Sequence, residues 1–379
     1  MGQKRLKLGI IFNFSSSWMG GIIYIINVVK TLEFLDDKDK PEIFLFYRPG
    51  LEKFLAEFKY PYLNKIEWAF PSQISGNIKS KLLRKNLFVD KILKEYSLDA
   101  IYPMHNFPVR TKTNVKLISW WADLQHKHYP EFFTKMQLFG RKLREKHILK
   151  NSNHLVVSSQ DVLDDFNRFY KLPGHLNVHI FHFVSIIDNL EKLDITELKE
   201  KYKLPQKYYM VSNQFHKHKN HRVLLQALVK LKQTGIDIHI AMTGKFPDAE
   251  HSTYMAELHK IIDDNQLQNH VTMLGIISRS EQLELMKHSQ AVLQPSLFEG
   301  WSTVIEDAKS LQVPVVASNL KVNIEQLGKD GVYFDPHDSD ELVKILTDYP
   351  ERNINDTFYE EYSVRVKKAA GELLNIFKP

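Results

Sequence analysis

The sequence predicts an α/β protein made of two doubly wound, Rossmann-like domains. Three observations lead to that class. The chain has 379 residues, too many for one ordinary core, so two domains are expected. Short apolar runs alternate with helical stretches, which implies parallel βαβ units. The alternation occurs twice, in two series separated by a stretch without clear periodicity, "LNVHIFHFVSIIDN" (176–189), where the connection between domains is placed.

In the first series, "KLGIIFNF" (7–14) reads as a strand, "SWMGG" (17–21) as a turn, and "IIYIINVVKTLEFL" (22–35) as a helix. "PEIFLFYR" (41–48), "LDAIYP" (98–103), "VKLISWW" (115–121) and "NHLVVSS" (153–159) are further strands. The second series contains "YYMVSNQ" (208–214), "IDIHIAMTG" (236–244), "HVTMLG" (270–275), "QAVLQPS" (290–296), "VPVVAS" (313–318) and "GVYFD" (331–335). Helical segments "NHRVLLQALVKLKQ", "EQLELMKHS" and "TVIEDAKSL" lie between them. The expected domains are 1–185 and 186–356, with a final helix over 357–379 that packs on either. Two such domains facing each other create a cleft at the carboxyl ends of their strands, where open α/β sheets bind ligands.

Composition is that of a soluble globular protein, 43% hydrophobic and 25% charged. No apolar run approaches the roughly 18 residues of a membrane span. The basic start leads straight into the first strand with no cleavage-site pattern, so no signal peptide is expected and a cytoplasmic location is. There is no cysteine, which excludes disulfides, thiolate metal sites and cysteine nucleophiles. Residues 1–190 hold 28 Lys and Arg against 18 Asp and Glu, and the remainder 23 against 27. Two basic amphipathic segments, 79–94 and 140–150, make an anionic membrane surface a candidate partner of the first domain. An ordinary solvated helix face explains them as well. No nucleic-acid motif accompanies the charge, so nucleic acid is not expected as a partner.

"LQPSLFEGWSTVIEDAKSLQVPVVASN" (293–319) is the most informative stretch. Thr303 followed by Glu306 reads as a capping box, which leaves Glu299 and Gly300 unexplained. The stretch resembles the donor-binding signature of retaining glycosyltransferases of the GT-B fold, specifically glycosyltransferase family 4. That family pairs a Pro-Ser-x-x-Glu-Gly turn with a second Glu on the following helix. Six residues separate the glutamates here (300–305) where seven is usual, which matches a shortened "EGWST" branch.

The resemblance implies that Glu299 holds hydroxyls of a donor sugar and Glu306 the ribose. The N–H groups of Gly300, Trp301 and Ser302 would face sugar and phosphate, with Thr303 beside them. The chemistry is consistent: carboxylates are strong acceptors for hydroxyl pairs, and a glycine turn opening a helix presents N–H groups to anionic oxygens.

In "VSNQFHKHKNHRVLLQAL" (211–228), Lys219 with Asn220 matches the family's Lys-Asn pair. Gln214 stands where an Arg is usual, so Lys217 or His216 is expected to supply the missing charge. Asn213 and Gly275 are counted with the donor-binding residues, as are Gly20 and Gly21, a Gly-Gly turn after the first strand. "SWWADLQHKHYPEFF" (119–133) resembles an acceptor-side loop, with Ala122 in place of the usual His. Asp123 and His126 are therefore the expected catalytic groups from the first domain, beside Glu299 and Lys219 from the second. Gln125, His126, His105 and Asn106 are expected to contact the acceptor. Ser159 reads as a helix cap.

The resemblance implies a retaining hexosyltransferase with a nucleotide-diphosphate-sugar donor and a saccharide or lipid-linked acceptor in cell-envelope polysaccharide synthesis. No cofactor and no metal is expected. A hydrolysing nucleotide-sugar epimerase and a non-catalytic sugar-nucleotide-binding scaffold are the alternatives.

Overall fold

The computed structural model describes residues 5–16, 18–104, 107–187, 193–247 and 253–379. The chain divides into two compact units, Met1–Ile186 with Ser363–Pro379, and Ile187–Tyr362.

The first unit holds seven strands, β1 (Lys7–Phe12), β2 (Glu42–Tyr47), β3 (Leu63–Glu67), β4 (Ala100–Tyr102), β5 (Lys116–Trp121), β6 (His154–Val157) and β7 (Asn177–Ile180). They form one parallel sheet in the order β3-β2-β1-β4-β5-β6-β7. Its helices are α1 (Met19–Leu32), α2 (Gln73–Leu83), α3 (Asp90–Glu95), α4 (Gln125–His128), α5 (Lys135–Asn151) and α6 (Gln160–Phe169). One core under the sheet gathers Ile11, Phe46, Trp68, Ile92 and Ile101, and another Trp121, Leu124, Ile148, Leu155 and Phe166.

The second unit has α7 (Ile195–Tyr202), β8 (Tyr209–Ser212), α8 (His221–Gln233), β9 (Ile240–Thr243), α9 (Thr253–Asp264), β10 (Val271–Gly275) and α10 (Arg279–Lys287). It continues with β11 (Val292–Gln294), α11 (Thr303–Ser310), β12 (Val315–Ser318), α12 (Lys321–Leu327), β13 (Val332–Phe334) and α13 (Ser339–Thr347). Its parallel sheet runs β10-β9-β8-β11-β12-β13. Neighbouring residues of one strand serve opposite cores. Tyr209 and Val211 pack with Leu224, Leu228 and Phe334, while Met210 packs with Val292, Ile305 and Ala308. A sheet covered on both faces buries every residue of its central strands, as these apolar runs require.

Four parts of the chain differ from the sequence expectation. β3 and β7 are the two edge strands of the first sheet, and "LNKIE" and "NVHI" carry the polar residues edges tolerate. The basic segment 79–94 is not one helix. Arg84 takes φ 52°, which ends α2 and separates it from α3. The last helix, α14 (Tyr362–Phe377), starts later than 357, because Gln312 Oε1 accepts from the Phe358 and Tyr359 N–H groups, each at 2.9 Å. That holds the preceding segment in the second unit. α14 itself packs in the first unit, with Phe377 5.4 Å from the Tyr102 ring. No helix among the described residues is long and apolar enough to cross a membrane.

Candidate functional site

Strand order in the second sheet reverses between β8 and β11. The loops leaving their carboxyl ends, 213–220 and 295–302, are therefore neighbours, the position at which open α/β sheets bind ligands. Hydrogen bonds join them. Leu297 N donates to His218 O at 2.7 Å, and Asn220 Nδ2 donates to Pro295 O at 3.1 Å and Pro336 O at 2.8 Å. Asn220 turns the chain into α8 with φ 53°, a left-handed conformation that Asn tolerates better than most residues.

The joined loops bring Lys219 to Glu299, Nζ to Oε1 at 2.5 Å. Gln294 Nε2 donates to the same oxygen at 2.7 Å and to Ser296 Oγ at 3.2 Å, and Gln294 Oε1 accepts from Asn213 Nδ2 at 2.9 Å. Asn213, Gln294 and Ser296 are buried. Burial pushes the Glu299 carboxyl up, but the Lys219 charge and hydrogen bond, with Ser296, bring it below its usual value. Glu299 is thus a carboxylate at neutral pH, with donors aimed at it.

The histidines of this loop are neutral. Burial and Lys219 lower His218 to about 4. His221, fully buried and stacked 4.3 Å from the Phe215 ring, falls to about 3 for the same reasons. His216 is also lowered, by burial and by Lys219 and Lys245, so it does not supply the charge that Gln214 lacks. Lys217 is exposed, and Lys245 is a further cation near His216.

Glu306 is 2% exposed. It accepts from Gln326 Nε2 at 2.8 Å, with Lys309 Nζ 3.6 Å away. The expected capping box is replaced. Ser302, not Thr303, caps α11, its Oγ accepting from Ile305 N at 3.3 Å. Gln326 on α12 takes the Ser302 N–H at 3.1 Å and donates to Ser302 O at 2.9 Å. The Ser302 N–H, expected to face sugar and phosphate, is engaged by the Gln326 side chain here. Thr303 is the first residue of α11. Asp307 is buried beside Glu306, and Arg279 neutralises it with a fork at 2.6 and 2.5 Å.

Gly275 ends β10, and its carbonyl accepts from Thr243 Oγ1 at 2.8 Å and Gly244 N at 2.9 Å. Gly244 has φ +153°, and a Cβ there would lie 2.1 Å from Asn213 O. Only glycine lets this backbone approach the loop that carries Lys219.

In the first unit, Gly20 and Gly21 lie in the first turn of α1, not in the turn before it. The Trp18 ring packs over Gly21, where a Cβ would meet it at 2.6 Å. Trp18 stacks on Trp120 at 5.6 Å, and Trp120 on Tyr24 at 4.1 Å. Asp123 follows β5, and its Oδ1 accepts from Gln125 N at 3.1 Å, opening α4. His126 departs from expectation. It is 4% exposed, with Nε2 2.6 Å from Glu145 Oε1 on α5. Burial raises Glu145, but His126 and the Tyr170 hydroxyl hold it below its usual value. The ring is thus turned into the fold and engaged there, instead of being open to an acceptor. Ser159 caps α6, accepting from Val162 N at 3.2 Å. His105 and Asn106 lie outside the described residues.

Gln294, Ser296, Gln326, Arg279 and Gly244 escape sequence reasoning. Ser296 carried a signal, as the Ser of the Pro-Ser-x-x-Glu-Gly turn. The glutamines carried none, because their partners are distant in the chain.

Residues 194–370, just under half of the chain, match the family model described as glycosyl transferases group 1. The chain is 25% identical over 219 residues to O-antigen chain mannosyltransferase RfbU of Salmonella typhimurium, covering 57% of this chain and 56% of that protein. It is 25% identical over 247 residues to alpha-1,3/1,6-mannosyltransferase ALG2 of Homo sapiens, covering 58% of each. The chain thus spans a little over half the length of these relatives. HepE of Anabaena, solved with UDP and glucose, has a TM-score of 0.63 at 19% identity, covering 99% of this chain and 96% of that one. Similarity of this kind shows the fold, which is GT-B with two Rossmann-like domains. The matched residues 194–370 hold Lys219, Glu299 and Glu306.

Proposed function

We propose that the protein is a retaining glycosyltransferase of hexosyltransferase type. It moves a sugar from a nucleotide-diphosphate-sugar to an acceptor hydroxyl, on a saccharide or lipid-linked saccharide of a cell-envelope polysaccharide. The observation that carries the reading is the Lys219–Glu299 pair, 2.5 Å apart on the two switch-point loops and inside the family match. The names of the Salmonella and human relatives specify mannose and HepE was solved with UDP and glucose, so UDP- and GDP-hexoses are the first donors to test.

In this reading the sugar hydroxyls donate to Glu299, and the donor diphosphate takes the Lys219 ammonium. Glu306 accepts from the ribose. Lys219 and the N–H groups of Gly300 and Trp301 meet the charge that grows on the diphosphate as the C1–O bond breaks, so no metal is needed. The acceptor oxygen bonds to C1 from the same face, and its proton passes to the departing phosphate oxygen. Asp123 orients the acceptor, and His126 holds the Asp123 loop through Glu145.

Thermal unfolding with UDP, GDP, ADP and dTDP tests the donor site. One nucleotide at about 100 times its Kd stabilises the fold by ~2.7 kcal/mol, less in Lys219→Ala and Glu306→Ala. No response to any nucleotide overturns the donor site. Glu299→Gln lowers turnover by roughly 10²–10³-fold, the scale of losing one preorganised electrostatic contact. An inverted product anomer sinks same-face attack, and loss of activity in a chelator sinks metal independence.

The acceptor reading places the first unit at an anionic bilayer. α2 exposes Ile74, Ile78 and Leu82, at 79%, 55% and 77%, on one face flanked by Lys79 and Lys81. An unpaired apolar stripe with a basic border suits a headgroup–acyl boundary. Flotation with no preference for anionic over neutral vesicles counts against it.

A further inference from the structure

The first unit contains a second, separate concavity. A groove of about 1270 Å³ is walled by Arg84, Lys85, Lys94, Arg110, Lys112 and Lys116, with His154 and His175. Asp90 is the one acidic side chain among its described lining residues. Lys116 opens β5 and His154 opens β6, so the groove lies at the amino-terminal edge of the sheet. Asp123 lies beyond the opposite end of β5, roughly 20 Å away at ~3.3 Å per residue.

None of the six cations forms an ion pair with a carboxylate among the described residues. The hydrogen bonds of Arg110 and Lys116 go to main-chain carbonyls and to the His175 ring. Arg110 Nη2 donates to Lys150 O at 3.0 Å and lies 3.4 Å from His175 Nε2, and Lys116 Nζ donates to Lys378 O at 2.6 Å. Thr111 Oγ1 donates to Asp90 Oδ1 at 3.2 Å, and burial raises that carboxyl above its usual value against the Lys85 and Lys94 charges that act on it. Burial lowers Lys116, and burial with Lys116 lowers His154 to about 4. Six cations gather in a concavity around Asp90 and the last residue, Pro379, an excess of positive charge that is costly and that a multivalent anion relieves.

We propose that this groove binds a phosphate group, gripped by Arg84, Lys85, Arg110, Lys112 and Lys116 at the edge of the sheet opposite the acceptor-side loop. Two sources carry that chemistry, a soluble phosphate compound and a lipid headgroup. Leu82 and Leu83, 77% and 58% exposed, directly precede Arg84 and Lys85, so a lipid-borne phosphate would enter beside an apolar rim.

The test uses full-length protein carrying Lys219→Gln, which removes the other anion-binding lysine, with and without Lys85→Gln and Lys112→Gln. Both of these side chains are exposed, so the fold is expected to survive, and circular dichroism checks that. Calorimetric titration with pyrophosphate at low salt is expected to show binding at least tenfold weaker in the groove variant, which assigns a soluble source. Pyrophosphate binding that is equal or absent in both, with phosphatidylglycerol vesicles retaining the groove variant at least tenfold less, assigns the lipid source. Neutral phosphatidylcholine vesicles give the baseline. If Lys85 and Lys112 alter neither measurement, the groove is not a phosphate site.

Discussion

Glu299 stays charged in a nearly dry setting because an ammonium and two polar side chains are aimed at it. The Glu299→Gln variant therefore strands Lys219 in partial burial, so its effect on stability is to be measured apart from its effect on turnover. The neutral histidines of the same loop make an acid-sensitivity prediction. An unfolded His titrates near 6.5, while His221 in the fold titrates near 3. Below pH 6.5 the unfolded chain takes up a proton that the fold refuses, so stability falls with pH until about pH 3. For one fully buried His the slope is ~1.4 kcal/mol per pH unit. His221→Phe, which keeps the ring on Phe215, is expected to reduce the loss between pH 6.5 and 5 by about 2 kcal/mol in urea unfolding. Equal losses in both proteins would clear His221 of that role. Glu299 adds to acid lability only below about pH 4.5, since a depressed carboxylate contributes above its unfolded value and is lost as pH falls through the folded one. At this scale the sequence reveals residue types suited to a donor, such as Glu299 and Lys219. It does not reveal Gln294 or Gln326, whose amides matter only through partners such as Asn213, 81 positions away.

Among elements, α11 and α12 behave as one piece at the site. Gln326 holds the Ser302 N–H and carbonyl and the Glu306 carboxylate at once. Gln326→Ala leaves those buried groups without this partner, each costing ~1–3 kcal/mol if unmet. The expected outcome is a loss of at least that size in chemical unfolding and weaker nucleotide binding, with no rescue by Gln326→Glu, which sets a second carboxylate against Glu306 in place of a donor. Unchanged nucleotide affinity in a folded Gln326→Ala protein would separate Glu306 from the ligand. The central strands were legible because burial on both faces makes them continuously apolar. The edge strands β3 and β7 were not, because edges stay polar. The capping box at Thr303 was misread for a related reason. A side chain from another element occupies the place that a local pattern assigns to Glu306.

For the whole molecule, the doubly wound class followed from the alternation of strands and helices, and the strand orders come from the structure. What local periodicity does not encode is which unit takes the last helix, since that depends on partners such as Tyr102, far back in the chain. Ending the chain at residue 362 removes α14 and uncovers Tyr102, together with the Phe377 contact. Calorimetry is expected to show one transition moved to lower temperature, that of the first unit. The second unit's transition, and its shift by nucleotide, are expected to stay in place. A downward shift of both would mean that α14 supports the whole chain.

That arrangement also has a bearing on birth at the ribosome. The first unit needs a segment made after the second unit, while Ile187–Tyr362 is contiguous. At about 5–20 residues per second, roughly 10–40 s separate emergence of the seventh strand from that of the closing helix. The second unit is made during that interval, and it is complete before the amino-terminal unit is. The apolar ground that α14 later covers is open to a chaperone, and synthesis stalled before residue 363 would release a chain with its second unit whole and its first unit short of a helix.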